Sequence, residues 1–560
     1  MKAAHLKLNL WEFCSVLGGG MFLLFARGAD WFNHNQSAYF IYGTRLFDPT
    51  FIPKDWFTWQ TFHHDFAFAH LLAGLLRLGP LHTVVMVVHI ILLAGLAYAL
   101  LILCRRFFAH PFVVYCLLLA WVGVVNTGEA GLGGQNLYFG FFQPSEVAGC
   151  LMMIGLIFLL DHRYLLSGII LGFAGIFHGS FLVSTAPAVL ITAWVCGAFN
   201  SKRNLLAFGL PLGVLWGMFF FIMLNAMSHS APASAKTMGM MLHLRGSGDF
   251  EFSQWPLQAT FNWFVWAFLG LTAISQFPME QKYKEFRACF LALLITSLFA
   301  IAQLILVDHA SVTMLMLWRS SSFVLILGVA AIIGRCVQIL IYPKAITNKD
   351  RIFIAGCIIA AIVFMNNQWG ISSNRRFLWM MIFPMAAGAA WFGKPRLVKG
   401  LIIAMVLAIA LRTSSQGIKT ANNFETHPEP PLVGEMEKWV KERTPKDSIF
   451  AVPIDMPHMR IRGKRAIVAD WASSCYLPSD LQHWYERICD LSGLPSNVLY
   501  SDYQAFVDGY DRLNLSRAKK LKERYGVDYV VVFSRRHKGN LDGLIERYAN
   551  ADYKVLEVPN

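Results

Sequence analysis

What the sequence has little of narrows it first. Asp, Glu, Lys and Arg together make up only 15% of the 560 residues, against about 25% in soluble domains. No G-x-x-x-x-G-K-[ST] loop, no G-x-G-x-x-G after a strand and no H-E-x-x-H occurs, so nucleotide-driven transport and zinc proteolysis have no support. The G-x-S-x-G turn that exposes a serine nucleophile is also missing. The ten cysteines form no C-x-x-C pair; only Cys475 and Cys489 lie outside apolar segments, so neither a zinc site nor a disulfide framework is indicated. Lys2 and Lys7 precede the first apolar run, but no small-residue cleavage site follows it before GADWFNHNQ. The run therefore reads as a retained anchor.

What is there is apolar. AVILMFWYC supply 56% of the chain and mean hydropathy is +0.48, the composition of an integral membrane protein. With about 20 apolar residues needed per crossing, about thirteen spans are expected, at residues 10–26, 83–103, 111–127, 145–160, 164–178, 180–198, 204–224, 259–277, 288–306, 312–333, 352–365, 377–392 and 398–412. The net charge of +14 sits in short clusters beside these runs, such as Arg105/Arg106, Lys202/Arg203 and Lys394/Arg396/Lys399. That pattern answers to membrane orientation and not to nucleic acid. It places the N-terminus in the cytoplasm of a plasma (inner) membrane and, with an odd number of spans, the C-terminus outside, although Arg375/Arg376 fall on the opposite side.

The expected organisation is a transmembrane domain over residues 1–412 with two long outer loops, near 27–82 and 225–258. A polar linker follows at 413–430, then a small extracytoplasmic α/β domain over 431–560. The segment FAFAHLLAGLLRLGP in the first loop is amphipathic and suits an interfacial helix. In the last domain EMEKWVKERTP, LQHWYERICDL and RAKKLKERYG read as helices, and SIFAVPI, RAIVADW, DYVVVFS and YKVLEVP as strands.

Ionisable groups at membrane depth are costly and usually face a cavity or a partner. The first outer loop carries Asp30, His34, Asp48, Asp55, His63, His64 and Asp65 among aromatic residues. A carboxylate there either acts as a general base on an acceptor hydroxyl or belongs to a polar loop and its turns. Asp48 is explained by the turn at Pro49 and Asp65 by the start of the following helix, which leaves Asp55 without a structural role, together with Asp30. GEAGLGGQNLYFGFFQPSE supplies Gln135 and Glu146 at the outer end of a span, where Pro144 to Glu146 equally suit a first helical turn. In VDHASVTMLMLWRSSS, Arg319 lies eight residues inward of Ser311, roughly 12 Å deep at about 1.5 Å per residue. A guanidinium there needs an anion, either a protein carboxylate or a phosphate held in a bidentate fork. His178 in GFAGIFHGS and Arg245 in the second loop complete the set, each equally readable as packed or solvated.

RLFDPTFIPKDWF, GGQNLYFGFFQPSE, GIILGFAGIFHGS, LWRSSS and EKWVKERTPKDSIFAVP together resemble bacterial polytopic membrane proteins of the GT-C glycosyltransferase type. These take a sugar from a polyprenyl-phosphate carrier at the outer face of the membrane. The resemblance implies an inverting transfer with an acidic residue of the first outer loop, Asp30 or Asp55, as base. It further implies Arg319 on the lipid phosphate; the residues themselves offer His34, His64, Gln135, Glu146, His178 and Arg245 as candidate substrate contacts. Relatives often show adjacent acidic residues in that loop, whereas here the aspartates are isolated. The implied partners are the polyprenyl-phosphate sugar, membrane lipid and a glycan, lipid or protein acceptor. The scheme requires no metal and no cofactor. A transporter of lipid-linked sugars, or a polysaccharide polymerase or ligase, would use the same groups for binding.

Overall fold

The computed structural model describes residues 10–27, 34–124, 131–134, 141–230, 255–306, 315–342, 347–366, 431–456, 458–473, 477–497 and 503–560, with a few isolated residues between. The helices of the first part are α1 (Leu10–Arg27), α2 (His34–Phe47), α3 (Trp56–Gln60), α4 (Phe66–Leu76), α5 (Leu81–Phe107), α6 (Pro111–Val124), α7 (Pro144–Leu160), α8 (Tyr164–Phe177), α9 (Gly179–Val195), α10 (Lys202–Ser228), α11 (Leu257–Ser275), α12 (Gln281–Leu306), α13 (Ser321–Ile341) and α14 (Asn348–Asn366). A 3₁₀ turn, Leu317–Ser320, leads into α13.

Among the described residues, five helical stretches are long and apolar enough to cross a membrane, at α5, α10, α11, α12 and the 3₁₀ turn continued by α13. The chain is therefore a multi-pass membrane protein. Eleven of the thirteen expected runs fall on helices, but six of these do not meet the spanning length and hydropathy, so thirteen crossings are not reproduced. The runs at 377–392 and 398–412, and the linker, lie outside the described residues.

Position in the bundle follows from side-chain size. Only 17% of the most apolar stretch of α10 is buried, against 72% for the stretch ending in α13, which puts α10 at the rim and α13 at the centre. Between lipid-embedded helices small residues permit close approach. A Cβ on Gly270 of α11 would lie 2.7 Å from the Cα of Gly328 in α13, so glycine is required where these two helices cross.

The second part consists of α15 (Pro431–Arg443), β1 (Ile449–Ala451), α16 (Met459–Arg462), β2 (Ala466–Ile467), α17 (Pro478–Ser492), α18 (Tyr503–Tyr510), α19 (Leu515–Tyr525), β3 (Val527–Phe533), β4 (Ile545–Ala549) and β5 (Tyr553–Glu557). The sheet order is β2-β1-β3-β5-β4, with β1 parallel to β2 and β3, and β5 antiparallel to β3 and β4. Val530, Val531 and Val532 are all buried, as a central strand covered on both faces requires. Gly526 takes a left-handed φ of 72° to close α19.

The two parts share one hydrophobic core. Ile41, Phe51, Ile52, Trp56 and Phe57 from the first long loop pack with Ile454, Val468, Leu481, Trp484, Ile488, Phe506 and Val530 of the sheet-bearing part. A loop that would otherwise expose five large apolar side chains is thus built into the terminal domain.

Candidate functional site

The region around Phe181 gathers three of the expected residues. His178 stands in the turn between α8 and α9, where its extended backbone (φ −157°, ψ 105°) lets one helix end and the next begin. Its Nδ1 lies 2.9 Å from Ser180 Oγ, and its ring meets that of His64 edge to face at 6.2 Å between centroids. His64 in turn lies 6.4 Å from Tyr39 of α2. On the other side Phe181 contacts His178 at 5.8 Å and carries the Arg319 guanidinium 5.1 Å above its ring centroid, a cation–π arrangement. His178 thus stands beside a fixed cation, and its imidazole can donate a hydrogen bond.

The local setting of Arg319 differs from the continuous helix expected. The residue is not eight positions inside a helix: the helix starts at Ser321, and Arg319 occupies the 3₁₀ turn in front of it. Met316, left-handed at φ 50°, breaks the apolar run that reads as continuous helix, and the Arg319 Nη2 lies 3.4 Å from its sulfur. The serines that follow hold the turn in place. Ser320 Oγ lies 2.8 Å from Ser297 Oγ of α12, Ser322 Oγ donates to the Arg319 carbonyl at 3.0 Å, and the Ser321 carbonyl accepts from Trp263 Nε1 at 3.1 Å. A guanidinium at the N-terminal mouth of a long helix adds its charge to the helix's own positive end, and both favour an anion.

Asp55 has the structural role that the sequence did not reveal. It N-caps α3, its Oδ1 accepting from Thr58 N at 2.9 Å and Thr58 Oγ1 at 2.8 Å. Its Oδ2 accepts from Arg460 Nε at 2.8 Å and from Ile467 N at 3.0 Å. Arg460 also pairs with Asp470 and donates to Ser473 Oγ. The side chains of Asp55, Arg460 and Asp470 are 0%, 1% and 0% exposed. Four donors and no exposed surface leave the Asp55 carboxylate no place for an acceptor hydroxyl.

Asp65 departs from expectation in the opposite sense. It sits at the N-cap of α4 yet makes no side-chain cap bond, and its buried Oδ2 has no hydrogen-bond partner. Burial pushes its pKa up to about 7. Glu146 is buried and hydrogen-bonded to His89 Nε2 of α5 at 2.6 Å, and the His89 ring lies against Phe142. The sequence signal for His89 is an ionisable residue in the middle of an apolar run. Asp30, Gln135 and Arg245 lie outside the described residues, as does the side chain of His34. Among the described residues no group of three His, Cys, Asp or Glu side chains is arranged to hold a metal ion.

Residues 433–491 match the model of a family described as a domain of unknown function (DUF6798). No curated protein matches the sequence. Among solved structures, the chain is similar to ArnT from Cupriavidus metallidurans bound to undecaprenyl phosphate, at 10% identity and TM-score 0.50, covering 97% of this chain and 96% of that one. The apo form of the same protein aligns at 10% identity and TM-score 0.44, over 98% of this chain and 97% of that one. The first likeness spans both the helical bundle and the terminal domain, and establishes an ArnT-like fold.

Proposed function

We propose that this chain is a membrane glycosyltransferase of the GT-C type, transferring a sugar from a polyprenyl-phosphate carrier to an extracytoplasmic glycan, lipid or protein. The observation that carries the reading is Arg319 at the mouth of α13 with His178 and His64 beside it. This is an electropositive point at a helix N-terminus, built from two helix junctions and a loop. A fold shared with a protein that binds undecaprenyl phosphate supports a lipid phosphate as its occupant.

In this reading Arg319 forms charge-assisted bonds to the lipid phosphate that strengthen as the leaving group gains charge, and His178 and His64 donate to its remaining oxygens. The acceptor hydroxyl oxygen attacks the anomeric carbon, the bond to the phosphate oxygen breaks with its electron pair staying on the phosphate, and the configuration inverts. We assign the hydroxyl proton to Asp30, because the Asp55 carboxylate is committed to Arg460, Ile467 and Thr58. His34, Gln135 and Arg245 are retained as contacts to the sugar or diphosphate-free headgroup, and Glu146 as the partner that fixes α7 against α5 through His89. The site and the terminal domain face the extracytoplasmic side, with the N-terminus in the cytoplasm.

The test is transfer from undecaprenyl-phosphate sugars by the purified protein in lipid nanodiscs. Asp30→Asn and Arg319→Ala are expected to lower the rate by at least about 10²-fold, the scale of losing a base or an oxyanion contact. Transfer that survives both changes overturns the assignment. Wild-type protein that moves the lipid-linked sugar across a bilayer without releasing undecaprenyl phosphate identifies a transporter instead.

A further inference from the structure

The Asp55, Arg460 and Asp470 group lies away from the lipid-phosphate site, yet a short chain of contacts connects them. Arg460 reaches the first long loop from 405 positions away and stands 5.2 Å from the Phe57 ring centroid. Phe57 meets His63 edge to face at 5.0 Å, and its carbonyl lies 3.1 Å from His63 Nε2. His63 stacks on Tyr42 of α2 at 4.4 Å with planes 7° apart. Arg45 of α2 donates to the Thr58 carbonyl at 2.6 Å, and Phe62 N donates to Asp480 Oδ2 of the terminal domain at 3.0 Å. Asp55, Thr58, Phe62 and His63 are thus tied to α2 or to the terminal domain along the length of this stretch. The next residue is His64, whose ring faces His178.

We propose that Arg460 is a positioning residue for the lipid-phosphate site: by clamping Asp55 against Ile467 and Asp470, the terminal domain fixes where His64 stands relative to His178 and Arg319. The proposal rests on the reading of that site as the phosphate site of a transferase. A buried guanidinium shared by two carboxylates has few alternative geometries, because each loses its partner if the loop shifts. The exposed pair Lys54–Asp447 also joins the loop to the terminal domain, but a solvated pair constrains little.

The experiment is a thermodynamic cycle on binding of undecaprenyl phosphate to the full chain in nanodiscs. Arg460→Met and His64→Ala are each expected to raise Kd about tenfold, the scale of one charge-assisted hydrogen bond. Because both act through the position of one imidazole, the double variant binds no more weakly than His64→Ala alone, whereas independent losses would multiply. Arg460→Lys, which keeps the charge, recovers part of the loss, and Lys54→Ala binds as the wild type does. Should Arg460→Met not fold, Asp55→Asn decides the matter: it retains an N-cap oxygen for Thr58 and leaves Arg460 its pairing with Asp470. Wild-type affinity in the Arg460 and Asp55 variants, or multiplication of their effects with His64→Ala, overturns the proposal. If Arg319→Ala binds as tightly as the wild type, the phosphate reading itself fails; if Arg319→Ala is weakened and the Arg460 cycle is additive, only the positioning role is lost.

Discussion

Asp65 and His63 sit two positions apart, both buried, and burial moves them in opposite directions. Asp65 rises to about 7, and His63 falls to about 4, chiefly by burial, with the Arg45 charge adding to it. Between the ordinary carboxylate pKa and about 7, folded Asp65 keeps a proton that the unfolded chain has lost. Stability therefore falls as pH rises through that window and levels off above it. His63 does the reverse, costing stability as pH falls from its ordinary value toward about 4. In Asp65→Asn the first slope is removed and the second stays. The difference in melting temperature, variant minus wild type, is expected to grow from about pH 4 to about pH 7 and then hold constant; scanning fluorimetry in detergent measures it. A difference that shrinks with pH would show that Asp65 is ionised and paired. Arg460 offers a second test at this scale. Arg460→Met leaves two buried carboxylates without their cation and is expected to cost about 3 to 5 kcal/mol. Adding Asp55→Asn and Asp470→Asn to it recovers much of the melting temperature.

At the scale of elements, the contact between α11 and α13 carries the site. Gly270→Ile places a branched side chain where the α13 backbone passes, and overpacking of this kind costs about 1 to 3 kcal/mol. Since α13 begins directly after the turn that holds Arg319 and Ser320, the same substitution is expected to weaken undecaprenyl-phosphate binding more than an equally destabilising change near the start of α10, such as Phe208→Ala, whose buried ring lies against Phe199. Titration of the two variants in parallel tests this. The apolar runs make α5, α7, α8, α9 and α12 legible, because an unbroken run of apolar residues leaves a signal that needs no partner, whether the helix is long enough to span, as α5 and α12 are, or shorter, as α7, α8 and α9 are. α2 was not legible: HNQSAYFIYGTRLF mixes polar and aromatic residues and becomes helical while packing on α4 and the terminal domain. β4 was missed for a related reason, as its mostly exposed IERYA reads as a charged loop until β5 pairs with it. The sequence draws attention to Arg319 as a cation beside serines in an apolar stretch, but its setting is not readable there, because a single left-handed residue, Met316, moves the helix start past it. The true partner of Asp55 is too distant in sequence for any local pattern to name.

For the whole molecule, the joint core ties the first long loop of the bundle to the terminal domain. Removing residues 431–560 uncovers Ile41, Phe51, Ile52, Trp56 and Phe57, an apolar patch of the kind that drives association. The truncated protein is expected to elute as aggregates in size-exclusion chromatography in detergent, whereas Arg319→Ala elutes as the wild type does. The terminal domain thus completes the fold of a loop near the chain's start.

That joint core also sets a timetable for biosynthesis. The loop bearing Asp55 leaves the ribosome 405 residues before Arg460, and at about 5 to 20 residues per second this is an interval of about 20 to 80 s. Throughout it the nascent loop has its aromatic residues and a carboxylate awaiting their cation, while bundle helices around it are already being inserted. Slowing translation near residue 430, or supplying a protease on the side where the loop emerges, should cut the loop in nascent chains and spare it in finished ones. The clamp cannot close before Arg460 has emerged, so a chain whose synthesis stops short of it is expected to keep the loop open to the protease.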